Sequence, residues 1–241
     1  MPRVRSDAAH ETMSITIKQA ARALMVEKGT AGVTIRGIAK RLAVTPPALY
    51  TYVHSVDDLI TALIVEDFTA LSDALAAAAQ MKKETPVLRL RGVLRAYRQW
   101  AVDHPMDFQL IYGNPIPGYV APREVTVPAV ARGFAVIIRT IEDVLKTERY
   151  QPQPPYDRVP QALTGRIAQL RQDYAAAEPD AEPVSDMAFY LGIVGWSQMH
   201  GLITLEVLNH LQGVVANTAH HFDTQMRFMI QSFGIIVRDN E

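Results

Sequence analysis

The strongest constraint on this chain lies between Thr34 and Leu59, where two short helical patterns are joined by a linker of only three residues. Thr34 is a good N-cap for the run IRGIAKRL, whose Ile35, Ile38, Ala39 and Leu42 fall at i, i+3, i+4 and i+7 on one face. Arg36, Lys40 and Arg41 are left off that face. The linker Ala43-Val44-Thr45 allows only a tight turn, and Thr45 then caps a further helix with Pro46 at its first position, where a missing N–H costs nothing. Leu49 and Val53 face inward, which leaves Tyr50, Thr51 and Tyr52 largely free to face out. Upstream, Ile17, Ala20, Ala21, Leu24 and Met25 recur at helical spacing and the pattern closes at Lys28-Gly29, so a first helix is predicted over about 12–28. Two short helices on a tight turn, braced by a third, make a helix-turn-helix unit.

Charge is distributed to match. Residues 1–56 hold eight Lys or Arg against three acids, a formal +5, while the whole 241-residue chain carries -1, so the remainder carries -6. A basic head on an acidic body points to a polyanion partner for the head, because Lys and Arg neutralising phosphates supply the sequence-independent part of nucleic-acid affinity. A chance excess of solvated surface charge is the alternative on charge alone.

Other classes fall away quickly. With 49% hydrophobic residues and a small net charge the chain is globular rather than disordered. Zero cysteines exclude disulfides, iron-sulfur clusters, thiol nucleophiles and thiolate zinc sites. No apolar run is long enough to span a membrane, and the start MPRVRSDAAHETMS lacks an apolar stretch, so no membrane association and a cytoplasmic location are expected. The adjacent His220 and His221 with Asp223 point apart on a helix, so no metal site is expected, and no cofactor either. No GxSxG, HExxH or phosphate-cradling glycine loop supports an enzyme.

Beyond the head, strand signals are nearly absent. Ser55 and Asp58 form a capping arrangement that opens a helix over about 55–80. Further helices are expected at about 85–104, 107–112, 128–148, 161–176, 185–209 and 218–237, separated by the proline-rich stretches 113–122 and 151–160 and the polar break 178–183. The fold class is therefore all-α, with a three-helix head over 1–56 and a larger helical body over 57–241 that shares the fourth helix.

The stretch from Thr34 through Leu59 resembles the helix-turn-helix signature of TetR-type bacterial regulators. The matching positions are Thr34, Ile38-Ala39, Ala43-Val44, Leu49-Tyr50, Tyr52, Val53 and Asp57-Asp58-Leu59. Two departures stand out: the turn glycine is Ala43, and the lysine often found at the start of the fourth helix is Val56. More weakly, WSQMHG, with Trp196, His200 and Gly201, and YGNPIPGYVAP resemble a family subset whose C-terminal region carries a Trp, His, Gly motif. The resemblance implies a DNA-binding head on a helical-bundle, ligand-binding and dimerisation domain. It implies a homodimeric repressor on double-stranded operator DNA, released by a small-molecule effector.

In that reading Thr45, Pro46, Pro47, Ala48 and Thr51 occupy base-facing positions, the prolines and Ala48 offering apolar surface suited to thymine methyls. Arg36 is the nearby side chain able to contact guanine in a bidentate manner, with a phosphate contact or plain solvation as alternatives. Thr34, Tyr50 and Tyr52 are assigned to phosphates, Tyr50 with partial core packing as the alternative, and affinity leans further on Lys40 and His54. Phe68, Tyr97, Trp100, Phe108, Tyr112, Phe134, Trp196 and Met199 are candidate linings of an apolar effector pocket, or simply core. His200 is its candidate polar anchor, or a buried histidine bonded to backbone. Met187, Leu191, Val194, Phe228, Ile235 and Ile236 are the candidate four-helix dimer interface. A binding or sequestering protein with a vestigial head is the alternative from another class.

Overall fold

The computed structural model describes residues 3–80, 85–113, 116–177 and 181–238, without the side chains of 3–7 and 177. Residues 114–115 of the first proline-rich stretch and 178–180 of the polar break lie outside the described residues. Among the described residues ten α-helices follow one another: α1 (Arg3–Lys28), α2 (Ile35–Leu42), α3 (Pro46–Leu49), α4 (Val56–Ala79), α5 (Pro86–Asp103), α6 (Pro105–Tyr112), α7 (Arg123–Leu145), α8 (Gln161–Ala177), α9 (Asp186–Val207) and α10 (Thr218–Ser232). The fold class is all-α, as the periodicity predicts.

Side-chain caps set several of the helix starts. The Thr34 hydroxyl accepts a 3.0 Å hydrogen bond from the Gly37 N–H, and the Ser55 hydroxyl accepts one of 3.0 Å from the Asp58 N–H, with Asp57 and Asp58 in the first turn of α4. Ser185 and Asn217 cap α9 and α10 in the same way, accepting from Ala188 and His220. Ala43 ends α2 in a left-handed conformation, φ 54, its N–H donating to the carbonyls at the end of the helix. That is the position where the family pattern has glycine, and an L side chain there is strained.

Three boundaries differ most from expectation. The first helix begins at Arg3 rather than near residue 12, because residues 3–11 carry no apolar stripe to announce it. The seventh begins at Arg123, with Pro128 inside it rather than at its start; Val125 and Thr126 already donate to the Pro122 carbonyl, so the turn is nucleated before the proline. The last helix stops at Ser232 rather than 237. Gly234, φ +82, turns the chain out of it, and the segment beyond pairs with residues 149–151: Gln151 N–H donates to the Gly234 carbonyl and Ile236 N–H to the Arg149 carbonyl, both at 2.8 Å.

The chain packs as two compact units, one of residues 1–68 with 104–128, the other of 69–103 with 129–241. The first is centred on Ile17, Ala21, Ile38, Leu49, Leu59 and Leu63, all at most 1% exposed. Burying a side chain of this size contributes about 1.5–3 kcal/mol. The head read from the sequence ends at residue 56; this unit continues into α4 and takes in α6. The reason is polar as well as apolar: Arg22 of α1 pairs with Asp67 of α4 at 2.6 Å and with Asp107 of α6, and Lys18 pairs with Glu66. The second unit is built on Leu75, Val93, Ile138, Leu191, Ile203 and Phe222. Its α5, α9 and α10 are tied by Arg98, which donates to Glu206 through Nε at 2.7 Å and lies 5.7 Å over the Phe222 ring.

Candidate nucleic-acid interface

The face presented by α2, α3 and the turn after α3 is open. Thr34, Arg36, Lys40, Thr45, Pro47, Ala48, Tyr50, Thr51 and His54 are exposed, while Pro46 and Tyr52 are half-buried. Tyr50 is 53% exposed although its neighbour Leu49 is fully buried, so the ring stands on the surface rather than in the core. The helical geometry of α3 covers only Pro46–Leu49, and residues 50–52 follow as turns, with Tyr52 N–H bonded to the Leu49 carbonyl at 2.9 Å.

Five of the eight basic residues of the head, those on the inner part of α1 and on α2, divide into two groups. Lys18, Arg22 and Arg41 are neutralised internally, by Glu66, by Asp67 and Asp107, and by Glu27 respectively. Among the described residues Arg36 and Lys40 have no ion-pair partner, and both lie on the outer side of α2. The cations that remain unpaired beside α3 are thus the ones assigned to DNA.

Hydroxyl chemistry refines the threonines. The Thr51 hydroxyl donates to the Ala48 carbonyl at 2.8 Å, so toward a partner it is left as an acceptor. Thr34 is engaged as the cap of α2, its oxygen accepting and its proton left to donate. Thr45 precedes α3 without a side-chain cap bond.

His10, which spacing alone does not single out, stacks on this face from α1. Its ring centroid is 4.7 Å from that of Tyr52 at an interplanar angle of 36°, and its Nε2 is 3.4 Å from the Thr51 carbonyl.

The candidate pocket residues separate. Phe68, Phe108 and Tyr112 pack on one another in the first unit, with Phe68–Tyr112 edge to face at 5.5 Å and Phe108–Tyr112 at 5.4 Å. In the second unit a cavity of about 20 Å³ is walled by Leu90, Leu94, Ile137, Ile141, Leu191, Trp196, Met199, Met229 and Phe233, with Gly192, Gly195, Ile230 and Ile235. Trp196 and Met199 are the two pocket candidates that border it. Tyr97 and Trp100 are buried on α5, and Phe134 is half-buried on α7. Beside Trp196, its indole Nε1 donates to the Tyr97 hydroxyl at 3.4 Å, and the same hydroxyl is 3.4 Å from His200 Nδ1. Burial pushes the His200 pKa down, so the imidazole stays neutral at pH 7.

Of the candidate interface residues, Phe228 is 59% and Ile236 40% exposed, and Met187 and Val194 are half-buried. Leu191 and Ile235 are at most 2% exposed, both forming part of the cavity wall. They have no area left to offer a partner. Ile235 is turned inward because the chain beyond Gly234 is extended, which sends successive side chains to opposite faces and leaves Ile236 outward.

Residues 17–63 match the family model described as bacterial regulatory proteins, tetR family, and residues 90–229 match the one described as tetracyclin repressor-like, C-terminal domain. The chain belongs to the TetR family of bacterial transcription regulators, which bind DNA through a helix-turn-helix and are not enzymes.

Among individual relatives, it is 28% identical over 230 residues to HTH-type transcriptional regulator Rv1816 of Mycobacterium tuberculosis, an alignment covering 92% of each chain. It is 26% identical to the solved regulatory protein SCO4313, covering 93% of this chain and 98% of that one with a TM-score of 0.73. A TetR family regulator from Marinobacter aquaeolei VT8 shares the fold at 16% identity and a TM-score of 0.61, covering 97% of this chain and all of that one. No helix among the described residues is long and apolar enough to cross a membrane.

Proposed function

We propose that the chain is a homodimeric repressor that reads a near-palindromic operator and is released from it by a small, largely apolar effector. The observation that carries the operator reading is the pairing pattern of the head: Arg36 and Lys40 stand unpaired beside an open α3, while Lys18, Arg22 and Arg41 are neutralised within the protein. In this reading Arg36 reads a base edge, Thr45 and Thr51 flank it with hydroxyls, Pro46, Pro47 and Ala48 meet apolar base surface, and Thr34, Lys40, Tyr50, Tyr52 and His54 hold phosphates.

A dimer presents two such faces about 34 Å apart, one turn of DNA, so that two half-sites are read together. Exposed Phe228 and Ile236, with half-buried Met187 and Val194, supply the apolar contact. The effector reading is supported by the apolar walls around Trp196 and Met199 and by the neutral Tyr97–His200 pair next to them. A cavity of about 20 Å³ holds roughly one water, so an effector has to open it. It acts as a releaser only by binding the opened state more tightly than the DNA-bound one.

Footprinting the full chain on its own promoter region tests the operator reading. A protected stretch of two-fold symmetry, lost on adding an apolar compound that also raises the melting temperature of the free protein, is the expected result. Protection without symmetry, or no specific protection, overturns it.

A further inference from the structure

Resting on the operator reading above, we propose that the DNA-facing surface continues from α3 onto the N-terminal part of α1, with His10 as a further DNA-contacting residue. The helix α1 begins at Arg3, well before residue 17, where the family match starts, so His10 belongs to an extension that the match does not reach. Residues 8–12 of this extension are exposed. His10 is nevertheless not free in solvent: it lies on the Tyr52 ring and beside the Thr51 carbonyl, joining two residues assigned to DNA from 41 positions away in sequence. The two rings meet at a tilt, and Tyr52 is half-buried where Tyr50 and Thr51 are exposed.

The chemistry of the ring then defines the partner. One nitrogen, Nε2, faces a carbonyl oxygen, which can only accept; a hydrogen bond there requires Nε2 to carry the proton. A phosphate oxygen is likewise an acceptor, so a phosphate reaching the other ring nitrogen, Nδ1, has to be met by an N–H there as well. The groups in contact with His10 are the Tyr52 ring and the Thr51 carbonyl; the titratable residues closest to them in sequence, Glu11 next to His10 and His54 two positions after Tyr52, are both exposed. The partner is therefore a backbone phosphate at the margin of the half-site, next to the one held by Tyr52, and a permanent cation at position 10 should serve at least as well as histidine.

The test measures affinity of the full-length protein for a labelled fragment of its own promoter across a salt series, for wild type, His10→Arg and His10→Glu. Gln19→Glu, exposed and half a turn round α1, is the control. His10→Glu is expected to weaken binding about tenfold at 0.15 M salt and to flatten the dependence of log K on log salt by about one, and His10→Arg to bind as tightly or more so with a slope at least as steep as that of wild type. Gln19→Glu should stay within about twofold, and melting temperatures report whether each variant is folded. If His10→Arg and His10→Glu both bind within twofold of wild type with an unchanged salt slope, or if Gln19→Glu loses as much as His10→Glu, the proposal is overturned. Failure of the wild-type protein to form a specific complex would instead strike the operator reading itself, which the wild-type arm reports separately.

Discussion

Arg22 of α1 places a guanidinium nitrogen 2.6 Å from Oδ1 of Asp67 in α4, while Oδ2 of the same carboxylate is buried with no hydrogen-bond partner among the described residues. The other guanidinium nitrogen pairs with Asp107 of α6, so one side chain fastens the helix that braces the DNA-facing pair to two others. Asp67 is only 3% exposed, and burial outweighs the nearby arginine, pushing its pKa from 3.8 up to about 6.

A carboxylate raised in this way has an inverted pH signature. Its folded-state pKa lies above its unfolded value, so the native state binds the proton more tightly; the resulting stabilisation is present below about pH 4 and is lost as pH rises through about 6. Asp67→Asn keeps an acceptor for Arg22 and gives the orphaned position an N–H₂. Urea unfolding between pH 4 and 7 should show wild type losing stability relative to Asp67→Asn up to about pH 6, with a constant difference above it. Arg22→Ala, which leaves the buried carboxylate short of its counter-ion, should cost about 3 kcal/mol at pH 7.

Ala43 offers a test of backbone strain. At φ 54 it occupies the left-handed region that glycine enters freely, and it closes α2 next to α3. Ala43→Gly should stabilise the chain by about 1 kcal/mol in chemical unfolding, with no loss of DNA binding. A destabilised variant would mean that the methyl group contributes packing that exceeds the strain.

The three glycines of α9 are expected to respond differently to the same change. A Cβ at Gly192 would overlap the end of the Ile138 side chain, at Gly195 it would meet Phe233 and Met229 at ordinary contact distance, and at Gly201 it would meet nothing. Gly192→Ala should therefore destabilise by about 1–2 kcal/mol through overpacking, and Gly201→Ala should stabilise by about 1 kcal/mol through helix propensity. Gly195→Ala lies between them. Thermal unfolding of the three single variants reads the order directly.

Thr34 carries two roles that substitution can separate. Its hydroxyl caps α2 through Gly37 and is also assigned to a phosphate. Thr34→Ser keeps the cap and should leave both stability and operator affinity near wild type, whereas Thr34→Ala should lose about 1 kcal/mol of stability together with affinity. Stability lost without affinity would assign Thr34 to capping alone.

What the sequence made visible was what local chemistry encodes: helical periods, caps and the tight turn at Ala43. Residues 3–11 were missed as helix because they carry no apolar stripe, and the end of α10 was overrun because Phe233, Ile235 and Val237 are as apolar as any helical stripe. Their every-other spacing, with Ile236 exposed between buried neighbours and Gly234 just before, was the available sign that the chain had become extended. Charge summed over the head could not tell Arg36 from Arg22, because the acids that neutralise Lys18 and Arg22 come from residues 66, 67 and 107, far along the chain. The aromatic residues of the body posed the same difficulty. Composition offers Phe68 and Trp196 as equals, and only packing puts Phe68 among Phe108 and Tyr112 and Trp196 at a cavity wall.

The most direct measurement compares wild type with Arg36→Ala on a promoter-derived operator and on a scrambled duplex of equal length, at several salt concentrations. If Arg36 reads a base beside α3, the variant should lose about ten- to a hundredfold on the operator and far less on the scrambled duplex. Equal affinity of the wild-type protein for both duplexes, or an operator affinity indifferent to Arg36, would contradict sequence-specific binding through this face.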